Sequence, residues 1–141
     1  MANQPRILQS AGDLDRFPIP VGASTDLEMG DFVSLESNAA VLMDAAAEDA
    51  TFAGYMINQV HTDYSEPDQA IVGLRGILLC TATSATYGFG DGLVYTAENT
   101  VAADAGANTM AWSGAEETAA VTSLKVIIDV IALGKLFAVD A

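Results

Sequence analysis

Two stretches of this chain carry nearly the same pattern, and that pattern excludes most folds. Residues 30–47 read GDFVSLESNAAVLMDAAA and residues 90–107 read GDGLVYTAENTVAADAGA. Aligned without a gap, Gly30/Gly90, Asp31/Asp91, Val41/Val101, Asp44/Asp104, Ala45/Ala105 and Ala47/Ala107 coincide. Each stretch runs from Gly-Asp into a short apolar segment (Phe32–Leu35; Leu93–Tyr95) and passes polar residues around Asn38 or Asn99. It then returns through a second short run to Asp-Ala. A turn, a strand, a polar reversal and a second strand predict a β-hairpin. The match is short and Ala-rich, so coincidence competes with a true internal repeat. On either reading the chain is assembled from hairpins.

The remaining punctuation agrees. Thr25–Leu35 holds the first Gly-Asp turn and its strand, and Val41–Met43 is the return. Asp44–Thr51 has the composition of a single helical turn, too short to be stable alone. Phe52–Val60 reads as a strand with a bulge at Gly54. Gln69–Thr83 is the most strand-like run: Val72, Leu74, Leu78 and Cys80 share one face, and Gly73 and Gly76 mark a bulge or a sharp bend. Thr86–Tyr95 is a Gly-rich turn into a strand, and Met110–Trp112 begins another. Leu124–Leu133 alternates, with Leu124, Val126, Ile128, Val130 and Ala132 on one face. Its β-branched content favours strand over helix. The expected fold is all-β: a compact β-barrel or β-sandwich of short antiparallel strands with at most a short helical turn. The 141 residues suit one domain, placed at 21–141 behind an extended N-terminal arm at 1–20.

That arm has its own character. Pro5, Pro18 and Pro20 fix φ and favour extended backbone, while Ile7, Leu8, Phe17 and Ile19 need an apolar surface to lie on. The surface belongs either to the chain's own domain or to a neighbour. Charge separates arm from body. The chain has a net charge of −14, yet within residues 1–20 Arg6 and Arg16 balance Asp13 and Asp15. Five basic residues against nineteen acidic ones cannot line a groove for nucleic acid or bind an anionic membrane.

Catalytic signals are absent from the sequence. Cys80 stands alone in an apolar run and reads as a small buried hydrophobe. The loop His61–Asp68 (HTDYSEPD) offers His and carboxylates but matches no metal-binding spacing, and is read as solvated. The GFGDG run lacks a Lys and a following helix, and its Asp would repel phosphate. No GxSxG motif accompanies the single His and single Cys. The expectation is no enzyme, no cofactor and no metal. No leader of basic then apolar residues is expected either.

Two strand faces point to association instead. Arg75 falls with Ile77 and Leu79, and Lys125 with Ile127, Asp129, Ile131 and Leu133. Faces this apolar do not suit free solvent. They lie against another subunit or under the chain's own loops.

The order of these segments resembles a known family. GDFVSL, an apolar return ending in Asp-Ala, FAGYMI, GLRGILL, a second turn GDGLVY and a hydrophobic final strand are similar to the small capsid decoration (cement) proteins of tailed bacteriophages, over roughly residues 20–131. The resemblance implies an all-β protein on the outer surface of the virion, often a homotrimer, that binds the major capsid protein and stabilises contacts between capsomers. It implies no nucleic-acid or membrane partner. The proline-containing arm and the tail after Gly134 fall outside the resembling span. On the cement reading the arm, with Pro5, Arg6, Ile7, Leu8, Arg16, Phe17, Pro18, Ile19 and Pro20, would lie on the capsid protein or a neighbouring copy, and Arg75, Ile77, Leu79, Lys125, Ile127, Asp129 and Ile131 would form the subunit interface. The competing reading is a β-sandwich carbohydrate-binding or adhesin module.

Overall fold

The computed structural model describes residues 3–10, 12, 15–21, 26–37, 39–44, 51–61, 69–104 and 109–133. Its strands are β1 (Arg6–Gln9), β2 (Arg16–Pro20), β3 (Phe32–Glu36), β4 (Ala39–Leu42), β5 (Phe52–Met56), β6 (Gln69–Gly73), β7 (Arg75–Ala85), β8 (Gly92–Ala97), β9 (Thr100–Ala103), β10 (Ala111–Ser113) and β11 (Val121–Asp129). No helix occurs among the described residues. The protein is all-β, as the alternation required. The short helical turn expected within Asp44–Thr51 and most of the loop His61–Asp68 lie outside the described residues.

The strands form a 5-stranded sheet in the order β2-β6-β5-β3-β4 and a 6-stranded sheet in the order β1-β7-β11-β10-β8-β9. A parallel bridge, Val21↔Ala40, joins the ends of the first sheet and closes it into a small barrel. A parallel pairing of β7 with β9 at Thr81↔Thr100 and Ala82↔Val101 closes the second sheet in the same sense, leaving β1 outside.

The two closed units are copies of one plan. Phe17↔Val72, Pro18↔Ile71 and Ile19↔Ala70 in the first correspond to Leu78↔Val126, Leu79↔Lys125 and Cys80↔Leu124 in the second. Phe32↔Tyr55 and Val33↔Gly54 correspond to Trp112↔Gly92 and Ala111↔Leu93. Both Gly-Asp turns are built alike: Asp31 N–H donates to Glu28 O and Asp91 N–H to Gly88 O, each at 3.1 Å. Each Asp carboxylate accepts the backbone N–H three residues back at 2.8 Å. Gly30 and Gly90 take φ of +93° and +85°, the left-handed setting a type II turn needs. The repeat is therefore real and spans five strands. The gapless alignment nevertheless slips by one residue after the turn. A bulge between Tyr95 and Ala97 places Ala40 opposite Leu35 but Val101 opposite Tyr95, so Ala40 and Val101 are the equivalent pair. The coincidence of Val41 with Val101 has no structural meaning.

Apolar alternation builds two clusters. Ile19, Val33, Leu35, Ala40, Ala70 and Val72 fill the first barrel. Cys80, Leu93, Tyr95, Val101, Leu124 and Val126 occupy the corresponding places in the second. The outer side of the first barrel contributes Phe32, Met43, Phe52 and Tyr55 to that second cluster, which therefore extends across the junction between the two units. Tyr55 is fully buried, and its hydroxyl donates to Arg75 O at 2.7 Å. A side chain at Gly73 or Gly76 would run into the Tyr55 ring, which is why glycines stand there. The junction is also latched by polar groups. Phe32 N–H donates to Asn99 Oδ1 at 3.1 Å, and Asn99 Nδ2 donates to Asp31 Oδ1 at 2.9 Å.

Three expectations need correction. Gln69–Thr83 is not one strand: the chain bends at Leu74, and β6 and β7 belong to different sheets. The final strand starts earlier, at Val121, and ends at Asp129, after which the chain turns. The stretch 1–20 is extended, but it is not separate from the domain. β1 pairs with β7, with Ile7 opposite Leu78, and β2 is the closing strand of the first barrel. A boundary after Pro20 would remove that strand.

The prolines of β2 explain why only one barrel carries an extra strand. Ile71 N–H is bonded to Asn58 Oδ1 and its carbonyl to Ile57 N–H, so Ile71 turns away from β2. Phe17 and Ile19 therefore make the ladder with β6, and Pro18 and Pro20 face the outer edge, where they present no donor. The equivalent of Pro18 in the second barrel is Leu79, whose edge receives β1 at Arg6.

Candidate interface

Pairing of β7 with β11 places the residues read as a subunit interface directly opposite one another. The register is Leu79↔Lys125, Ile77↔Ile127 and Arg75↔Asp129. Side chains directly opposite in an antiparallel pair lie on one face, so all six belong to the outer side of the second barrel. β1 adds Arg6 beside Leu79, and β10 adds Trp112 beside Ile127. Three rows result: Arg6, Leu79 and Lys125; then Ile77, Ile127 and Trp112; then Arg75 and Asp129. Ile131 lies just past the end of β11 and is 40% exposed. Sequence reasoning placed Arg6 on a separate arm and gave Trp112 only the start of a short strand. Only the strand register brings both to this face.

Gly114 makes the middle of the face possible. A Cβ there would lie 3.2 Å from Ile127 Cγ1 and 3.3 Å from Lys125 Cγ, so its absence lets both side chains lie flat across β10. Beside the apolar row is an open hollow of about 440 Å³ lined by Gln9, Ser10, Arg75, Ile77, Ile127 and Asp129 among others. Arg75 Nε lies 3.3 Å from Asp129 Oδ1, and Arg75 Nη1 lies 3.8 Å from Asp15 Oδ1. Asp129 is further fixed by accepting Ala132 N–H at 3.0 Å. Such half-exposed ion pairs hold the guanidinium in place more than they stabilise the fold.

The electrostatics are uneven. Of the five basic residues, Arg6, Arg75 and Lys125 stand on this one face of a chain with net charge −14. With Arg75 paired to Asp129 and Asp15, the remaining positive charge of this partly apolar face comes from Arg6 and Lys125, which suits it to an acidic protein surface.

The residues assigned to capsid contact are divided by the structure. Arg6, Leu8, Phe17, Pro18 and Pro20 are exposed, and Ile7 and Arg16 are half-buried. Pro5 and Ile19 are buried, Ile19 inside the first barrel, and are corrected to structural positions. Sequence reasoning missed the display of Phe89. This ring is 68% exposed at the tip of the second Gly-Asp turn, and its counterpart Met29 is 50% exposed at the first. The signal was present, a large apolar residue just before the turn glycine in both copies.

Reactive side chains are dispersed. Cys80 is buried, and burial pushes its thiol well above the ordinary range. His61 Nε2 lies 2.7 Å from Glu28 Oε1. Among the described residues no three His, Cys, Asp or Glu side chains converge as metal ligands. No family model, curated protein or solved structure matches the chain, so its functional reading rests on this face and its register.

Proposed function

We propose that the chain is a structural cement protein of the capsid-decoration kind, which binds the outside of an icosahedral phage head and strengthens the contacts between capsomers. One observation carries the reading: an acidic, all-β body concentrates its cations and an apolar row on a single face. On this reading that face joins copies, three to a cluster. The rest of the exposed leading strands, Leu8, Phe17, Pro18 and Pro20, meets the major capsid protein, while Arg6 belongs to the face that joins copies. The rest of the surface is acidic and turns to solvent, where like charge keeps particles apart. A ligand that recognises only the assembled shell stabilises it by mass action, and clustered copies gain from multivalency. Such work needs an interface and no reaction.

The test is co-sedimentation of the purified chain with tailed-phage heads stripped of their own decoration protein, followed by imaging of the decorated particles. Density on the outer surface is expected, and Leu8→Ser with Phe17→Ser is expected to remove it without unfolding the protein. A chain that stays in the supernatant at all concentrations, or density on the inner surface, refutes the reading. Deletion of residues 1–20 is uninformative here, because it takes β2 out of the first barrel.

A further inference from the structure

We propose that copies of this chain join head to tail, with the Phe89 turn of one copy seated in the hollow beside Arg75 and Ile127 of the next. The inference rests on the self-association in the reading above and is independent of the shell.

Phe89 is the most exposed large apolar side chain among the described residues, at 68%, and its support is stiff. The Gly88–Asp91 turn is closed by Asp91 N–H to Gly88 O and by Gly88 N–H to the Asp91 carboxylate. It is tied to β10 by Gly90 N–H to Ser113 O at 2.8 Å. A ring held out on a fixed turn loses little backbone freedom on docking. Acidic groups stand around it. Asp91 and Glu116 are exposed, and Glu117 is kept beside the turn by its N–H bond to Tyr87 O at 2.7 Å.

The hollow offers an apolar floor beside positive charge. Ile77 and Ile127 line it, Arg75 at its border is already paired with Asp15 and Asp129, and the remaining positive charge comes from Arg6 and Lys125 alongside. Its volume of about 440 Å³ accepts a phenyl ring with room for part of the turn. A second copy is the occupant that charge selects. Two copies of this face brought together would oppose Arg6 and Lys125 to their own counterparts, whereas the acidic rim of Phe89 offers the opposite sign. Because knob and hollow are different patches, the contact is heterologous, and it closes into a ring when the rotation between copies permits.

The experiment is sedimentation velocity on the full chain over a roughly hundredfold concentration range. The expected result is species heavier than the 14.6 kDa monomer. Phe89→Ser is expected to weaken association at least about tenfold, with an unchanged unfolding midpoint, because the ring is outside the core. Lys125→Glu is expected to weaken it as well, and Glu116→Lys in the same chain to restore part of the loss. A wild-type chain monomeric throughout overturns both this contact and self-association. Heavier species that persist unchanged in Phe89→Ser, or a Lys125→Glu loss that Glu116→Lys does not relieve, overturn this contact and leave self-association through another surface standing. Shell binding is read separately.

Discussion

Replacing Asn99 by Ala tests whether the two barrels are held as one unit by the latch between them. The Asn99 amide accepts Phe32 N–H at 3.1 Å and donates to Asp31 at 2.9 Å, and both Asn99 and Asp31 are fully buried. Ala leaves the Phe32 N–H without that acceptor, which costs about 1–3 kcal/mol, and removes a bond to a carboxylate worth about 1.5–3 kcal/mol. Asn99 also has φ of +52°, a setting in which a Cβ without a polar group is disfavoured by about 1 kcal/mol. The terms overlap, so the expected loss is about 3–5 kcal/mol, a large share of a domain's stability. Asn99→Gly isolates the backbone part, since it tolerates the positive φ but makes neither bond.

Acid adds a second readout with a defined sign. Burial raises the Asp31 pKa above its ordinary value, against the lowering effects of the Glu28 backbone N–H, Asn99 and Gln4. A carboxyl whose folded value lies above its unfolded value of about 3.9 contributes stability that is complete below that value. That contribution is lost as the pH rises through the raised one. Removing Asn99 takes away one of the groups favouring the carboxylate, so the raised value climbs further. The gap between wild type and Asn99→Ala, measured by urea titration, is expected to be widest near neutrality and to narrow as the pH falls toward the unfolded value. A loss under about 1 kcal/mol at neutral pH, or a gap that does not change with pH, would refute the latch.

Three further outcomes follow from the same geometry. Gly54→Ala forces a Cβ into Gly73 O at φ +135°, and is expected to cost more than about 3 kcal/mol; Gly90→Ala, with open space around it, is expected to cost only the backbone term of about 1–2 kcal/mol. Equal losses in denaturation experiments would contradict the close approach at Gly54. Cys80, 2% exposed with its thiol pushed up by burial, is expected to react with a thiol reagent at mildly alkaline pH only as fast as the protein opens, so immediate labelling would be inconsistent with its place on the inner face of β7. Pro18→Val restores a donor to the outer edge of β2, where the second barrel receives β1, and is expected to raise strand-mediated aggregation, seen as growing light scattering, at little cost to stability; unchanged scattering would contradict the orientation of that edge.

The fold class was legible because alternation is a local property: Leu124, Val126 and Ile128 are buried where their period places them. The duplication was only half legible. Gly30 and Gly90 match because a turn demands a particular backbone. The interiors demand only apolar volume, so Ile19 and Cys80, Ala40 and Val101, or Ala70 and Leu124 share a position without sharing an identity. One bulge at Tyr95–Ala97 then displaced every later comparison. β1 and β2 escaped notice because short, proline-bearing strands are defined by distant partners, β7 and β6, and by nothing within themselves. The same limit governs the candidate interface. Period two gave Arg75, Ile77 and Leu79, and also Lys125, Ile127 and Asp129. That these stand opposite one another, with Arg6 and Trp112 at their sides, follows from register alone.

In each barrel the strand made first pairs with the strand made last, β2 with β6 and β7 with β11. Closing either unit therefore means joining its own ends, a slow, non-local step. On the ribosome, the earlier barrel has all its strands once Gly73 has emerged, before β8, β9, β10 and β11, the strands able to take the places of β3 to β6, have been made. Vectorial synthesis thus separates in time two look-alike halves that could otherwise exchange parts, and refolding the whole polypeptide from denaturant loses that protection.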